Sequence, residues 1–194
     1  FATSFSSTPV VIASVQTFRD DDPVNARAWD ITTSGMKVAL QEEELLAKTT
    51  SHPDERIGYI AFEQGAVNDT TNNWVMETGL VTNVTHDDKS FTFATAFSAK
   101  PALLASFNTM NGGDTANLRA KTVTSTGATL FLDEETSCDT ETNHVAESFG
   151  YVALQGSGDI NVALALAEKP TGLLQDIEEQ VRLGLSFYRY DYAS

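Results

Sequence analysis

The chain has 194 residues and 41% of them are hydrophobic, which excludes a disordered acidic tail and allows packed cores. The formal net charge is −15 and the pI is about 4.3, which argues against nucleic acid and anionic membrane surfaces as partners. No apolar run reaches the roughly eighteen residues of a membrane helix, so we expect no membrane insertion. This balance suits an extracellular or cell-surface protein.

Strand-like segments separated by turns fill the first 62 residues. Strands are predicted at 9–17, 25–31, 36–41 and 56–62, because these segments are β-branched or alternate apolar with polar residues. Polar or glycine-containing turns fall at 19–23 and 32–35. Four strands in about sixty residues without a helix predict an antiparallel β-sandwich or small barrel.

Most of this N-terminal segment occurs a second time in the chain, 92 residues further on. Residues 1–61 (the first repeat) align without a gap on residues 93–153 (the second repeat), and 24 of the 61 pairs are identical. Such an internal sequence repeat predicts two copies of one folded unit. Apolar positions drift between the copies, whereas a polar set persists: Asp22, Asn25, Arg27, Glu42, His52 and Glu55 recur as Asp114, Asn117, Arg119, Glu134, His144 and Glu147.

The sequence therefore predicts an all-β protein of two tandem antiparallel sandwich units, residues 1–65 and 74–156, joined by a polar linker at 66–73. Strand-like residues at 79–84 and 89–93 lead into the second unit, and the first unit has no such lead-in. Residues 157–194 form a C-terminal extension that could begin a third unit. Within it, spacing predicts a short helix over 173–183 and a strand over 185–192.

The sequence bears on two kinds of covalent modification, disulfide formation and N-glycosylation. Cys138 is the only cysteine, so an internal disulfide is excluded and an inert or intermolecular thiol is predicted. Asn68 and Asn83 each begin an Asn-x-Thr triplet and are candidate N-glycosylation sites.

The order of these elements resembles the H-type lectin domain. The resemblance rests on Phe5 to Val11, on Asn25-Ala26-Arg27, on the turn at Gly35 and on Gly58 to Ala61, and on the equivalent residues of the second repeat. It implies six-stranded antiparallel sandwiches, often trimeric, that bind N-acetylgalactosamine-type sugars without catalysis. The family's binding arginine follows the Asn-x pattern, so Arg27 and Arg119 become candidates to bind sugar. Similar tandem units are found in bacterial surface and pilus-associated proteins.

The sequence departs from that family after the central strand, where those lectins carry a Trp-His pair. This chain has Glu42-Glu43 and Glu134-Glu135 instead, so aromatic stacking must come from elsewhere. Trp29 and Tyr59 are candidates in the first repeat only, because Lys121 replaces Trp29 in the second.

The persistent polar set has two interpretations. Asp22, Asn25, Arg27, Glu42 and His52, with Asp114, Asn117, Arg119, Glu134 and His144, are candidate sugar ligands, or they form an internal network of ion pairs and hydrogen bonds. Calcium is conceivable at Asp20–Asp22 and Glu42–Glu44, but the second repeat keeps only Asp114 of the first acidic run. We therefore expect no cofactor and no shared calcium or zinc site.

Catalysis is not expected, because no nucleophile motif, phosphate-binding loop or zinc-protease motif is present. The sequence predicts a non-catalytic carbohydrate-binding protein that binds glycans or polysaccharide and is a homo-oligomer. The alternative is a structural subunit of an extracellular filament or surface assembly completed by strand exchange. In that alternative Leu185–Ser194 completes the first repeat, either of the same chain or of the next one.

Overall fold

The structure is a computed structural model that describes residues 1, 3–47, 52–156, 164–165, 180–181 and 185–190. Strands dominate this part of the chain, so the all-β prediction is confirmed. The elements are β1 Val10–Val15, β2 Val24–Trp29, β3 Lys37–Glu42, the single helical turn α1 Glu44–Ala47, β4 Ile57–Phe62, β5 Gly65–Asp69, β6 Trp74–Val84, β7 Lys89–Thr92, β8 Ala102–Phe107, β9 Ala116–Val123, β10 Gly127–Glu134, β11 Glu147–Gly156, β12 Leu164–Ala165, β13 Gln180–Val181 and β14 Leu185–Tyr190.

The strands form four antiparallel sheets. Their orders are β1-β4-β14-β13-β12, β2-β3, β5-β6-β11-β8 and β7-β10-β9. No helix in the described part of the chain has the length and apolarity needed to span a membrane.

The second repeat has a sandwich-like arrangement around one core. Alternate residues of β10, including Leu130 and Leu132, are buried against Phe149 and Tyr151 of β11, so β7-β10-β9 packs onto the four-stranded sheet. β11 is buried on both faces, because Val152 points away from this core into a second cluster with Val10 of the first repeat. A central strand covered on both sides explains the nearly continuous apolar run of β11.

The first repeat reproduces much of this pairing. β1 pairs with β4 and β2 with β3, as β8 pairs with β11 and β9 with β10. The polar turn before β3 is also the same: Thr32 N donates to Gly35 O, as Thr124 N donates to Gly127 O. The duplication in sequence is therefore a duplication in strand pairing.

The C-terminal strand joins the first repeat of its own chain. In β14 Ser186 pairs with Ala61 and Tyr188 with Tyr59, where β6 pairs Glu77 with Ala153 and Gly79 with Tyr151. The predicted strand at 185–192 is thus present over Leu185–Tyr190. The predicted helix over 173–183 lies largely outside the described residues, and the two of its residues that are described, Gln180 and Val181, form β13.

The predicted linker at 66–73 contains a strand instead. β5 pairs with β6, and the turn between them is closed by the Asp69 carboxylate, which accepts hydrogen bonds from the amides of Thr71 and Asn72. Asn73 completes the turn in the left-handed region at φ 54°. Asn68 and Asp69 lie on an exposed edge strand, where polarity carries no penalty, and residues 70–73 form the turn into β6.

One strand of the second repeat has no counterpart in the described part of the first. β7 pairs with β10, yet β3, which is equivalent to β10, pairs with β2 alone. The two equivalent glycines show the difference: a Cβ at Gly127 would lie 2.2 Å from Phe91 O of β7, whereas a Cβ at Gly35 would have nothing within 4 Å. In the part of the chain that the structure describes, no strand pairs with the other edge of β3.

Gly127→Ala is therefore expected to destabilise the protein by about 1–3 kcal/mol, because the methyl group must displace the β7 backbone. Gly35→Ala is the matched control and should change the free energy of unfolding by no more than about 0.5 kcal/mol. Urea unfolding followed by circular dichroism measures both. Equal effects of the two substitutions would show that β7 does not cover Gly127.

Candidate functional site

Arg27 lies on β2 of the first repeat and reaches into the second. It is fully buried, and its Nη2 donates to Glu147 Oε1 at 2.8 Å. The guanidinium carbon lies 3.6 Å from the centre of the Phe107 ring, and Nη1 donates to Gln41. Nη2 also approaches Thr109 O at 3.4 Å. The Arg27 side chain is therefore held between the repeats by a carboxylate, an aromatic face and two further oxygens.

The Glu147 carboxylate is the acceptor around which this contact is built. Besides Arg27 it accepts hydrogen bonds from the Thr109 hydroxyl and from the amides of Asn111 (2.9 Å) and Gly112 (3.0 Å). Burial opposes ionisation, but the interaction with His144 and these hydrogen bonds outweigh it and lower the pKa of Glu147 to about 2. The loop before β9 is thus tied to an ionised carboxylate.

His144 extends the buried network. Its Nδ1 lies 3.1 Å from Glu134 Oε1, and its Nε2 lies 3.7 Å from Glu147 Oε1, which is an ion-pair contact too long for a hydrogen bond. The Glu147 carboxylate raises the pKa of His144, burial partly offsets this, and Glu134 raises it further. Arg27 and His144 thus face two carboxylates in a region that is closed to solvent.

The equivalent residues of the first repeat are arranged differently. His52 donates its backbone amide to Glu42, and its Nδ1 lies 2.7 Å from Pro53 O. Glu55 accepts hydrogen bonds from the Thr17 hydroxyl and the Arg19 amide, within its own repeat. The predicted Arg, Glu and His set therefore meets in one buried network only where Arg27 enters the second repeat.

This geometry separates the two interpretations for individual residues. Arg27 and His144 contribute to a structural network, and Arg27 has no exposed surface to offer a sugar. Arg119, by contrast, is exposed and donates to Asp133 at 3.0 Å. Of the other candidates, Asp114 and Asn117 are exposed, Asp22, Glu42 and His52 are half-buried, and Glu134 is buried.

A cleft of about 380 Å³ between the repeats holds the two predicted asparagines. Asn25 donates its amide to Asn117 Oδ1 at 2.9 Å, so a residue meets its own equivalent. All but Val24 of the remaining lining pairs up in the same way: Ala13 with Ala105, Ser14 with Ser106, Val15 with Phe107 and Ala26 with Leu118. The axis that relates the repeats therefore runs close to this cleft.

One group of carboxylates in the described part of the chain could hold a metal ion. Glu44 of the first repeat and Asp114 and Glu134 of the second each place one oxygen within 4.8 Å of the others. Oxygen-only donors of this charge suit a hard cation such as Ca²⁺. The group shares Glu44 with the acidic run Glu42–Glu44 that first suggested calcium, and it contains no residue of the run Asp20–Asp22.

A second cleft, of about 410 Å³, lies on the first repeat beside the open edge of β3. Its lining includes Trp29 and Tyr59, the predicted stacking residues, together with Phe1, Met36 and Lys37. In the second repeat Phe91 of β7 occupies the matching position, 5.0 Å from the ring of Tyr151. Among the described residues, the space beside Tyr59 is therefore an aromatic cleft, whereas the space beside Tyr151 is filled by Phe91.

The remaining candidate residues are accessible. Asn68 on β5 and Asn83 on β6 are both exposed, as glycosylation requires, and Cys138 is exposed. Gln41, Phe107 and Thr109, which hold Arg27 and Glu147, were not predicted. The persistence of Thr17 as Thr109 in both repeats was the available signal for one of them.

Comparisons of the chain with protein-family models, with curated proteins and with solved structures found no match. The function is therefore argued from the residue pattern and from the geometry described above.

Arg27→Ala is expected to lower the free energy of unfolding by about 3–5 kcal/mol, because it leaves the buried Glu147 carboxylate without its cation. Arg119→Ala removes the equivalent residue from an exposed pair and should cost no more than about 0.5 kcal/mol. Chemical denaturation of both variants measures the difference. A loss of similar size at the two positions would contradict the buried pairing of Arg27.

Stability should be greatest between pH 4.5, the ordinary pKa of Glu147, and pH 6.5, that of His144. Below 4.5 the contribution of Glu147 is lost as pH falls towards its folded pKa of about 2. Above 6.5 the contribution of His144 is lost as pH rises through its raised folded pKa. Other carboxylates with lowered pKa values, such as Glu77, share in the acid loss.

Thermal unfolding midpoints from pH 3 to pH 9 test this. Glu147→Gln should make the acid decline shallower, and His144→Gln should remove much of the decline above pH 6.5, the ordinary His144 pKa. His86→Gln, at an exposed position, is the control and should leave the profile unchanged. A His144→Gln profile identical to the unmodified protein would refute the role of the imidazolium.

Proposed function

We propose that the protein is a non-catalytic carbohydrate-binding protein of the cell exterior, built on two tandem H-type-lectin-like sandwich units. The duplicated residue pattern supports the family proposal, and the paired sheets around a common core agree with a sandwich. The ligand is a glycan or polysaccharide. Ligand contact is proposed for the first repeat. Arg27 is not among the proposed ligand contacts, because its side chain is buried in the contact between the repeats.

The observation that carries this proposal is the aromatic cleft at Trp29 and Tyr59. Sugar sites combine apolar faces, against which pyranose C–H groups pack, with a few polar groups that fix orientation. Here the rim supplies the Ser34 hydroxyl and the exposed pair of Lys37 Nζ with Asp30 Oδ2, 2.7 Å apart. The cleft thus offers both a stacking surface and hydrogen-bonding groups.

A second candidate function, a structural subunit completed by strand exchange, is favoured by the open edge of β3. An unpaired edge beside an apolar cleft is a template for an added strand, and β7 occupies that place in the second repeat. Donation by the C-terminal segment is already used within the chain, since β14 pairs with β4. β14 therefore does not cover this edge of β3.

Glycan-array screening followed by isothermal titration tests the proposal. We expect one site per chain, and Trp29→Ala should weaken binding at least about tenfold, because stacked aromatic contacts often contribute more than 1 kcal/mol. Lys121→Ala changes the equivalent residue of the second repeat and is the matched control, with no expected effect. Circular dichroism checks that both variants fold.

Two equal sites per chain would contradict the asymmetry between the repeats. No binding across neutral, amino and acidic polysaccharides would overturn the carbohydrate proposal. A synthetic peptide that copies residues 87–94 separates the second candidate: tight binding of this peptide, lost in Trp29→Ala, together with a silent glycan array, would favour strand exchange.

A further inference from the structure

Three carboxylates from separate segments meet where the first repeat contacts the second. Glu44 follows β3 of the first repeat, Asp114 lies in the loop before β9, and Glu134 ends β10. One oxygen of each lies within 4.8 Å of the other two. The three negative charges repel one another at this spacing, whereas a cation bound among them would attract all three. We call these residues the inter-repeat carboxylates.

Hydrogen bonds between the repeats hold the backbones that carry these carboxylates. The Gln41 side-chain amide donates to Gly113 O at 3.2 Å and to Asp114 O at 3.3 Å. The backbone amide of Glu44 donates to Glu135 Oε2 at 2.9 Å, next to Glu134 in the chain. The approach of the three carboxylates is therefore set by the backbone and does not depend on the conformations of long side chains alone.

Glu134 gives a second, independent indication of a ligand. Its side chain is only 2% exposed, and its Oε1 lies 3.1 Å from His144 Nδ1. Its Oε2 is also buried, yet this oxygen has no hydrogen-bond partner among the described residues. A buried carboxylate oxygen without a donor costs free energy, and a metal ion that it coordinates would remove that cost.

The chemistry of the donors favours Ca²⁺. Oxygens bound to one Ca²⁺ at about 2.3–2.6 Å lie no more than about 5 Å apart, and the inter-repeat carboxylates meet this limit. Zn²⁺ prefers nitrogen and sulfur ligands, but both ring nitrogens of His144 face carboxylates, at Glu134 and Glu147. Asp114 is exposed, so water has access to complete the six to eight oxygen ligands that Ca²⁺ takes.

We propose that Glu44, Asp114 and Glu134 form a Ca²⁺ site that ties the first repeat to the second. The site is made once per chain and is not duplicated, because Thr136 stands in the second repeat where the first has Glu44. A search for metal ligands that both repeats share therefore cannot find it. None of the three residues lines the aromatic cleft, so the site is independent of carbohydrate binding.

Isothermal titration of the full chain, first freed of metal with a chelator, measures the binding of Ca²⁺. CaCl₂ is added up to about 10 mM, because weak protein sites bind Ca²⁺ at about 1 mM. We expect one Ca²⁺ per chain and a thermal unfolding midpoint that rises with Ca²⁺ concentration. NaCl of matched ionic strength controls for screening of the net charge of −15. No saturable binding, or an equal rise of the midpoint with NaCl, would overturn the proposal.

Substitutions in each repeat locate the ion. Asp114→Asn keeps the shape of an exposed side chain, removes its charge and should weaken Ca²⁺ binding at least about tenfold. Asp22→Asn makes the same charge change at the equivalent position of the first repeat, so it is the matched control and should bind Ca²⁺ normally.

Glu44→Gln tests whether the first repeat supplies a ligand, and it should weaken Ca²⁺ binding as Asp114→Asn does. Circular dichroism checks that each variant folds. Unchanged affinity in folded Asp114→Asn or Glu44→Gln, or an equal loss in Asp22→Asn, would contradict the proposal. If Glu44→Gln does not fold, the comparison of Asp114→Asn with Asp22→Asn decides, because both of these positions lie in loops.

Discussion

The buried ion pair between Arg27 and Glu147 is the contact on which the arrangement of the two repeats depends. A guanidinium and a carboxylate taken out of water need hydrogen-bonding partners, and the loop before β9 supplies three donors to Glu147, whereas Arg27 Nε has no hydrogen-bond partner among the described residues. Such a contact tolerates little rotation or sliding, because a small displacement leaves charge unpaired in an apolar surrounding. Val10 and Ile12 then pack against the second repeat at the position that the ion pair sets.

The duplicated sequence is used unequally in the two repeats. The same strand position carries a fully buried arginine in the first repeat and an exposed one in the second. The same glycine before the third strand faces open space in the first repeat and the β7 backbone in the second. Identity between the copies therefore indicates equivalent strands but not equivalent environments. A residue that is present in both copies can make different contacts in each.

The sequence predicted the strands of the first repeat and the all-β class, because the alternation of apolar residues and the turn at Gly35 are local signals. It could not predict the contact between the repeats. Arg27 carries no local mark of burial, since its partners Glu147 and Phe107 are more than seventy residues away in the chain. The strand character of β5 was missed because the strand has only five residues, and the polar turn residues 70–73 that follow it made the segment resemble a linker.

The pairing of β14 with β4 joins a strand that is made after the second repeat to a strand that is made before it. Ser186 pairs with Ala61, so 125 residues (186 − 61) separate the two partners along the chain. The strands of the second repeat pair over shorter distances and are complete once residue 156 has been made. Since domains form as their segments emerge from the ribosome, the second repeat can form first, and one side of β4 stays without β14 until residues 185–190 have been made. The second repeat can thus be folded before the first repeat receives its β14 strand.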